Sequence, residues 1–197
     1  GVEIMNALRS ILGGAALLAA APALSAPVAP GDAARLPMAR DERVAEALVT
    51  AQQAVISSDR VALADALRIV ERSGARPLQG WSGADPVPAW RTLVPNAEGA
   101  VLRGSPLGPG YRTGQVGAGK IDSFQQVFLS GRKASIALST AGGEPLSLRV
   151  IDAERRPVCL ADAPRRACRW VPVFTQRYMI EVRNGGQSQA NYFLVVD

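Results

Sequence analysis

The chain contains no histidine. That removes the Ser-His-Asp and Cys-His nucleophile systems and every His-ligated zinc site. Its two thiols are Cys159 and Cys168. The eight residues between them, Leu160 to Ala167, rule out C-x-x-C spacing. An even pair this close is expected to form a disulfide in an oxidising compartment, which leaves no thiolate for catalysis. The enclosed segment is polar, charged and broken by Pro164. Closing so small a loop stabilises by roughly 2–3 kcal/mol in the chain-entropy picture. Carboxylate chemistry needs two acids facing each other across a cleft, and no spacing among the Asp and Glu residues singles out such a pair. The run Gly114-Gln115-Val116-Gly117-Ala118-Gly119-Lys120 imitates a phosphate loop. Ile121 stands where that motif needs Ser or Thr, and no helix pattern follows, so the run reads as a turn before a strand. Trp81 and Trp90, in a loop-rich stretch, either stack on a sugar ring or plug the edge of a core. No catalytic residue, cofactor or metal is assigned, and the chain is expected not to be an enzyme.

The formal net charge is +5, and the basic residues are nearly all Arg, with Lys120 and Lys133 as the lysines. Apart from the pairs Arg155-Arg156 and Arg165-Arg166 the arginines are scattered, which reads as solvated surface and not as a nucleic-acid site. Arg in place of Lys, with heavy use of Ala, suggests a GC-rich bacterial genome.

Met5 to Ser10 carry one positive charge, Ile11 to Ala23 are apolar, and small residues cluster around Ser25 and Ala26. This is the order of a cleavable signal peptide, assigned to residues 1–26. The apolar run of about 13 residues is shorter than the roughly 20 that span a bilayer. No cysteine lies near the cleavage region to carry a lipid anchor. The expected location is the periplasm of a Gram-negative bacterium or the medium, with no permanent membrane span after cleavage. Removing Arg9 and Glu3 with the signal leaves the charge at +5.

Residues 27–37 read as a flexible leader rich in Pro and Ala. Over 38–74 the spacing predicts a helical hairpin. Val44, Leu48, Ala51 and Val55 recur on one side, with Arg40, Asp41, Glu42, Arg43 and Glu46 on the other. Ser57-Ser58-Asp59 interrupts and can cap a second helix, whose face is Leu63, Leu67 and Val70; Gly74 and Pro77 then stop it. The stripe Val44, Leu48, Val55, Leu63 and Leu67 either packs on the rest of the chain or offers a partner or dimer surface. Residues 75–111, dense in Pro and Gly, read as a connector with one short strand at 100–103. From 112 to 197 apolar residues alternate at period two in segments Phe124–Ser130, Ala134–Thr140, Leu146–Asp152, Cys168–Phe174, Arg177–Asn184 and Ala190–Asp197. Turn residues separate them every 8–12 positions. This is the mark of an antiparallel sandwich or barrel, since the spacing is too short for βαβ crossovers.

The order of these pieces resembles a known family. Ile121-Asp122-Ser123-Phe124 is followed by Val127-Phe128-Leu129-Ser130-Gly131, Ala134-Ser135-Ile136-Ala137-Leu138 and Leu146-Ser147-Leu148-Arg149-Val150-Ile151-Asp152. Tyr178-Met179-Ile180-Glu181-Val182 and Tyr192-Phe193-Leu194-Val195-Val196 complete it. Over roughly residues 110–197 the chain is similar to the bacterial pre-peptidase C-terminal domain. The resemblance implies a mainly β fold, an antiparallel jelly-roll-like β-sandwich after the helical hairpin, serving as a secreted accessory module. Such modules sometimes bind substrate or calcium. Here Asp122, Asp152, Glu154 and Asp162 stand as single acids in turns, whereas calcium takes six to eight oxygens. The expected function is an exported, non-catalytic binding or accessory module with a protein or glycan partner in the envelope. A structural, self-associating envelope protein is the alternative, ahead of a small carboxylate-based hydrolase.

Overall fold

A computed structural model describes residues 37–94 and 108–197, all within one compact unit, Pro37–Asp197. The signal peptide, most of the leader and the expected strand at 100–103 lie outside the described residues.

Helices α1 (Arg40–Ser57) and α2 (Arg60–Arg72) form the hairpin. Asp59 is the hinge: its carboxylate accepts the amides of Val61 and Ala62 at 3.1 and 3.0 Å, satisfying donors that the first turn of α2 leaves free. Gly74 closes α2 at φ +68°, a left-handed conformation that suits glycine. The connector holds a two-residue strand, β1 (Arg76–Pro77), and a short helix, α3 (Val87–Thr92).

Eight longer strands follow: β2 (Gly110–Val116), β3 (Ile121–Phe128), β4 (Ala134–Ser139), β5 (Leu146–Ile151), β6 (Pro157–Ala161), β7 (Ala167–Trp170), β8 (Gln176–Asn184) and β9 (Ala190–Val196). They lie in two sheets ordered β1-β2-β9-β4-β7 and β3-β8-β5-β6. Leaving out β1, this is the strand order of two interlocked Greek keys, a jelly roll. All pairings between the longer strands are antiparallel, and only β1 joins β2 in parallel. The fold is therefore a helical hairpin followed by a mostly β, jelly-roll sandwich.

The strands differ from the sequence expectation in three places. β2 occupies residues expected to be connector and turn. Its Gly114 sits opposite Tyr192, and a Cβ there would overlap the tyrosine ring, so the glycine marks close packing and not a turn. β6 lies where the pattern predicts only the approach to a polar loop. The segment Cys168–Phe174 is strand only as far as Trp170, because Pro172 cannot donate to a ladder.

Two cores result. Between the sheets lie Ile136, Leu138, Leu148, Val150, Ile180, Val182, Tyr192 and Leu194, among others. Under the hairpin lie Phe193, Val195, Ala137 and Tyr111, packed against the apolar faces of α1 and α2. β9 thus feeds both cores from alternate residues, and Tyr192, Leu194 and Val196 face the inner one.

This placement corrects the partner-surface reading of the hairpin. Val44, Leu48, Leu63 and Leu67 are at most 2% exposed, and Val55 is half-buried against the same cluster. The stripe covers the outer face of the β1-β2-β9-β4-β7 sheet and is not free for a partner.

Candidate binding surface

Cys159 on β6 and Cys168 on β7 are bonded, with Cα atoms 5.9 Å apart. Each strand ends one sheet, so the bond joins the two sheets along one side of the sandwich. The loop it encloses fastens the hairpin. Arg165 reaches the Glu42 carboxylate with Nε and Nη2 at 2.6 and 2.9 Å, a bidentate pair. Arg169 on β7 meets Asp41 at 3.3 Å and Glu42 at 3.0 Å. Arg166 donates to the carbonyls of Leu146 and Glu144 at 2.8 and 2.7 Å. Asp41 also accepts the Ser135 hydroxyl at 2.6 Å. The Arg165 hydrogen bond holds the Glu42 carboxyl down at about 2, against the upward push of burial. Asp41 and Glu42 are therefore buried structural acids, not members of a solvated helix face as the spacing suggested, and Arg165 and Arg166 are not plain solvated surface.

The remaining candidates are structural as well. Trp90 is 7% exposed and packs on Phe193 with ring centroids 6.0 Å apart. Trp81 is half-buried against the inner core, and the Gly83 backbone lies so near its indole that a Cβ there would be 2.5 Å away. Burial takes Trp90 out of reach of a sugar, and Trp81 serves the edge of the core. Asp122 is on β3, not in a turn, and is held by Arg112 at 3.2 Å and by the Tyr192 hydroxyl. Burial and that carboxylate push the Tyr192 phenol far above its ordinary range. The Tyr111 hydroxyl donates to Asp85 at 2.9 Å and is shifted the same way, chiefly by burial. Among the described residues no three His, Cys, Asp or Glu side chains converge on a metal position. No described helix is long and apolar enough to cross a membrane.

What the described residues leave open is the outer face of the β3-β8-β5-β6 sheet. Strict alternation puts Ile121, Ser123, Gln125 and Val127 of β3 outward, with Arg177, Met179, Glu181 and Arg183 of β8 beside them. Ser147, Arg149 and Ile151 of β5 continue the surface. A hollow of about 660 Å³ lies on it, lined by Gln125, Arg149, Ile151, Arg155, Arg177, Met179 and Glu181, among others. Its acids are already engaged. Glu181 sits 3.7 Å from Arg149, and Asp152 takes the Arg156 amide and guanidinium at 2.8 and 3.0 Å. Arg155, Arg177 and Arg183 have no side-chain partner among the described residues. Arg155 also holds φ at +64°, where a non-glycine residue costs about 1 kcal/mol or more. Sequence reasoning missed Arg177 and Arg183 because a lone Arg on an alternating strand looks like any solvated residue, and it noted Arg155 only as half of the pair Arg155-Arg156, whose second member is the one matched by acids.

A second hollow, of about 570 Å³, lies between the outward sides of α1 and α2, floored by Val44, Ala47, Ala66 and Ile69. Its rim carries both Arg43 and Arg72 and both Glu46 and Asp65, so it favours no sign of charge.

The architecture is that of a jelly-roll sandwich roofed on one side by a helical hairpin. No family model matches the chain, and no curated protein matches it. Three solved structures are similar in part, each with a TM-score of 0.40. A mitogen from Yersinia pseudotuberculosis is 11% identical, over 45% of this chain and 83% of that one. The pre-peptidase C-terminal domain of a collagenase from Bacillus anthracis is 13% identical, over 44% and 87%. PliG of Aeromonas hydrophila, a periplasmic inhibitor of g-type lysozyme, is 11% identical, over 62% and 94%. At these values none of their activities transfers to this chain.

Proposed function

We propose that the protein is an exported, non-catalytic binding module whose partner is a protein presenting acidic side chains to the open face of the β3-β8-β5-β6 sheet. The observation that carries this reading is the set of three cations, Arg155, Arg177 and Arg183, that have no side-chain partner among the described residues, on a sheet face that no described residue covers and whose acids are already matched. Electrostatic complementarity of this kind favours encounter with an opposite charge and discriminates against like charge. A protein partner is preferred to a glycan because Trp90 is buried, Trp81 is half-buried against the core, and neither lines the sheet hollow. Export is supported by the order of charged, apolar and small residues in 1–26 and by a bonded cysteine pair, which persists outside the reducing cytoplasm. The self-associating reading loses its expected surface, since the hairpin stripe is covered.

The test uses defined peptides. Fluorescence anisotropy should show saturable binding of Asp/Glu-rich peptides and none of Lys-rich ones. Arg155→Glu with Arg177→Glu should weaken binding at least tenfold, and equal affinity in wild type and variant rejects the reading. Mass spectrometry of the expressed chain addresses export, with the mature N-terminus expected just after Ser25 or Ala26.

A further inference from the structure

At one end of the sandwich two loops stand side by side, Leu129–Lys133 between β3 and β4 and Val171–Thr175 between β7 and β8. They carry the most exposed apolar cluster of the sandwich. Val173 is 74% exposed, Phe174 72% and Val171 58%, with Leu129 and Val127 beside them near one half. Large apolar side chains gathered at this exposure mark an interaction site.

The tip is built and not slack. The Ser130 amide donates to the Thr175 hydroxyl at 3.0 Å, the Ser130 hydroxyl to the Val173 carbonyl at 2.7 Å, and the Gly131 amide to the Pro172 carbonyl at 2.8 Å. Gly131 takes φ +70°, which lets the first loop fold back against the second. Beneath lies an aromatic cluster: Phe128 packs edge-on to Trp170 at 4.8 Å and to Tyr178 at 5.7 Å. Phe174 is thus presented by a supported scaffold while most of its own surface stays exposed.

The charge around the tip has one sign. Residues 123–143 and 163–180, which contain both loops and their flanks, include no Asp or Glu. They do include Arg132, Lys133 and Arg177, all exposed and without a side-chain partner among the described residues. The acids nearest along the facing elements are committed. Asp41 and Glu42 are held by Ser135, Arg165 and Arg169, Asp197 lies 4.0 Å from Arg40, and Asp152 and Glu154 both pair with Arg156.

We infer that this tip docks on the surface of an anionic phospholipid bilayer, with Val173 and Phe174 entering between the headgroups and Arg132, Lys133 and Arg177 meeting the phosphates. An apolar projection ringed by uncompensated cations satisfies both requirements of peripheral membrane binding, apolar area for the acyl boundary and positive charge for the lipid surface. The inference rests on residues other than the sheet hollow, sharing only Arg177 with it, and stands whether or not an acidic protein binds there.

Co-sedimentation of the full chain with vesicles tests it. Binding is expected on phosphatidylcholine containing one-third phosphatidylglycerol, to be at least tenfold weaker on phosphatidylcholine alone, and to fall as salt rises. Val173→Ser with Phe174→Ser should reduce it at least tenfold, as should Arg132→Glu with Lys133→Glu, while Arg155→Glu should leave it unchanged. Because the tip side chains are exposed, circular dichroism of the variants should match wild type. A Phe174→Trp variant, read against wild type, should gain emission that brominated lipids quench. No binding, equal binding to neutral vesicles, undiminished binding by the folded tip variants, or added emission from the Phe174→Trp variant that brominated lipids leave unquenched overturns the inference.

Discussion

The two sheets of this sandwich are built by one rule and meet different surroundings. In the β1-β2-β9-β4-β7 sheet, β9 reads Ala-Asn-Tyr-Phe-Leu-Val-Val and five consecutive residues from Tyr192 are buried. In the β3-β8-β5-β6 sheet, β3 alternates strictly between exposed and less exposed positions. The first sheet has the inner core on one face and the hairpin on the other, whereas no described residue covers the outer face of the second. A continuous apolar strand therefore records a cover on both sides, and an alternating one records a free face. The seam under the hairpin matches its acids and arginines, Asp41 and Glu42 with Arg165 and Arg169, whereas the free face carries Arg155, Arg177 and Arg183 without a side-chain partner among the described residues.

The largest test of this contrast compares the outer faces. Phe193→Ala, under the hairpin, should cost about 3–5 kcal/mol in urea unfolding, while Met179→Ala on the free face should stay within about 0.5 kcal/mol. Similar costs at both sites would break the comparison. Asp41→Ala should cost about 2–3 kcal/mol, because it leaves the Ser135 hydroxyl without its acceptor at a buried seam and takes one of the two carboxylates from Arg169, which keeps Glu42. Cys159→Ser with Cys168→Ser should lower stability by about 2–3 kcal/mol, measured against the oxidised wild type.

The acid limb follows next. Glu42 is held at about 2 in the folded chain against an ordinary 4.5, so the unfolded chain binds the extra proton. Its contribution is complete above pH 4.5 and is lost as pH falls toward 2. The loss should be on the order of 2 kcal/mol, reduced by the solvent around Arg165, and Glu42→Gln should flatten that part of the profile. The smallest effect sharpens the functional side. Arg155→Gly should raise stability by about 0.5–1 kcal/mol by relieving the left-handed backbone, yet weaken binding of acidic peptides. A variant that gains stability and keeps full binding would separate Arg155 from the surface.

Much of the fold is legible in the sequence. The hairpin follows from the spacing of Val44, Leu48 and Leu67 with Asp59 and Gly74 as punctuation, and the core strands follow from period two. The cover over β9 is less legible, because one run of apolar residues fits a buried strand of either sheet. β2 is hidden by Gly114 and Gly117, which look like turn residues until Tyr192 is seen lying over the first of them. The seam is hidden for another reason. Asp41 and Glu42 lie more than a hundred residues from Arg165 and Arg169, and local patterning places charges at the start of a helix in water by default. The free-face cations cannot be recognised from sequence, since being unmatched is a property of the assembled sheet.

The bond between Cys159 and Cys168 has a further consequence. Among the described residues β6 pairs only with β5, and β7 only with β4, so each leaves a row of backbone groups without a strand partner along its other side. Such rows are templates on which a second molecule can add a strand. Tying the two edges together lets each obstruct the approach to the other, so that the cross-link acts as a guard against chain-to-chain polymerisation as well as a staple.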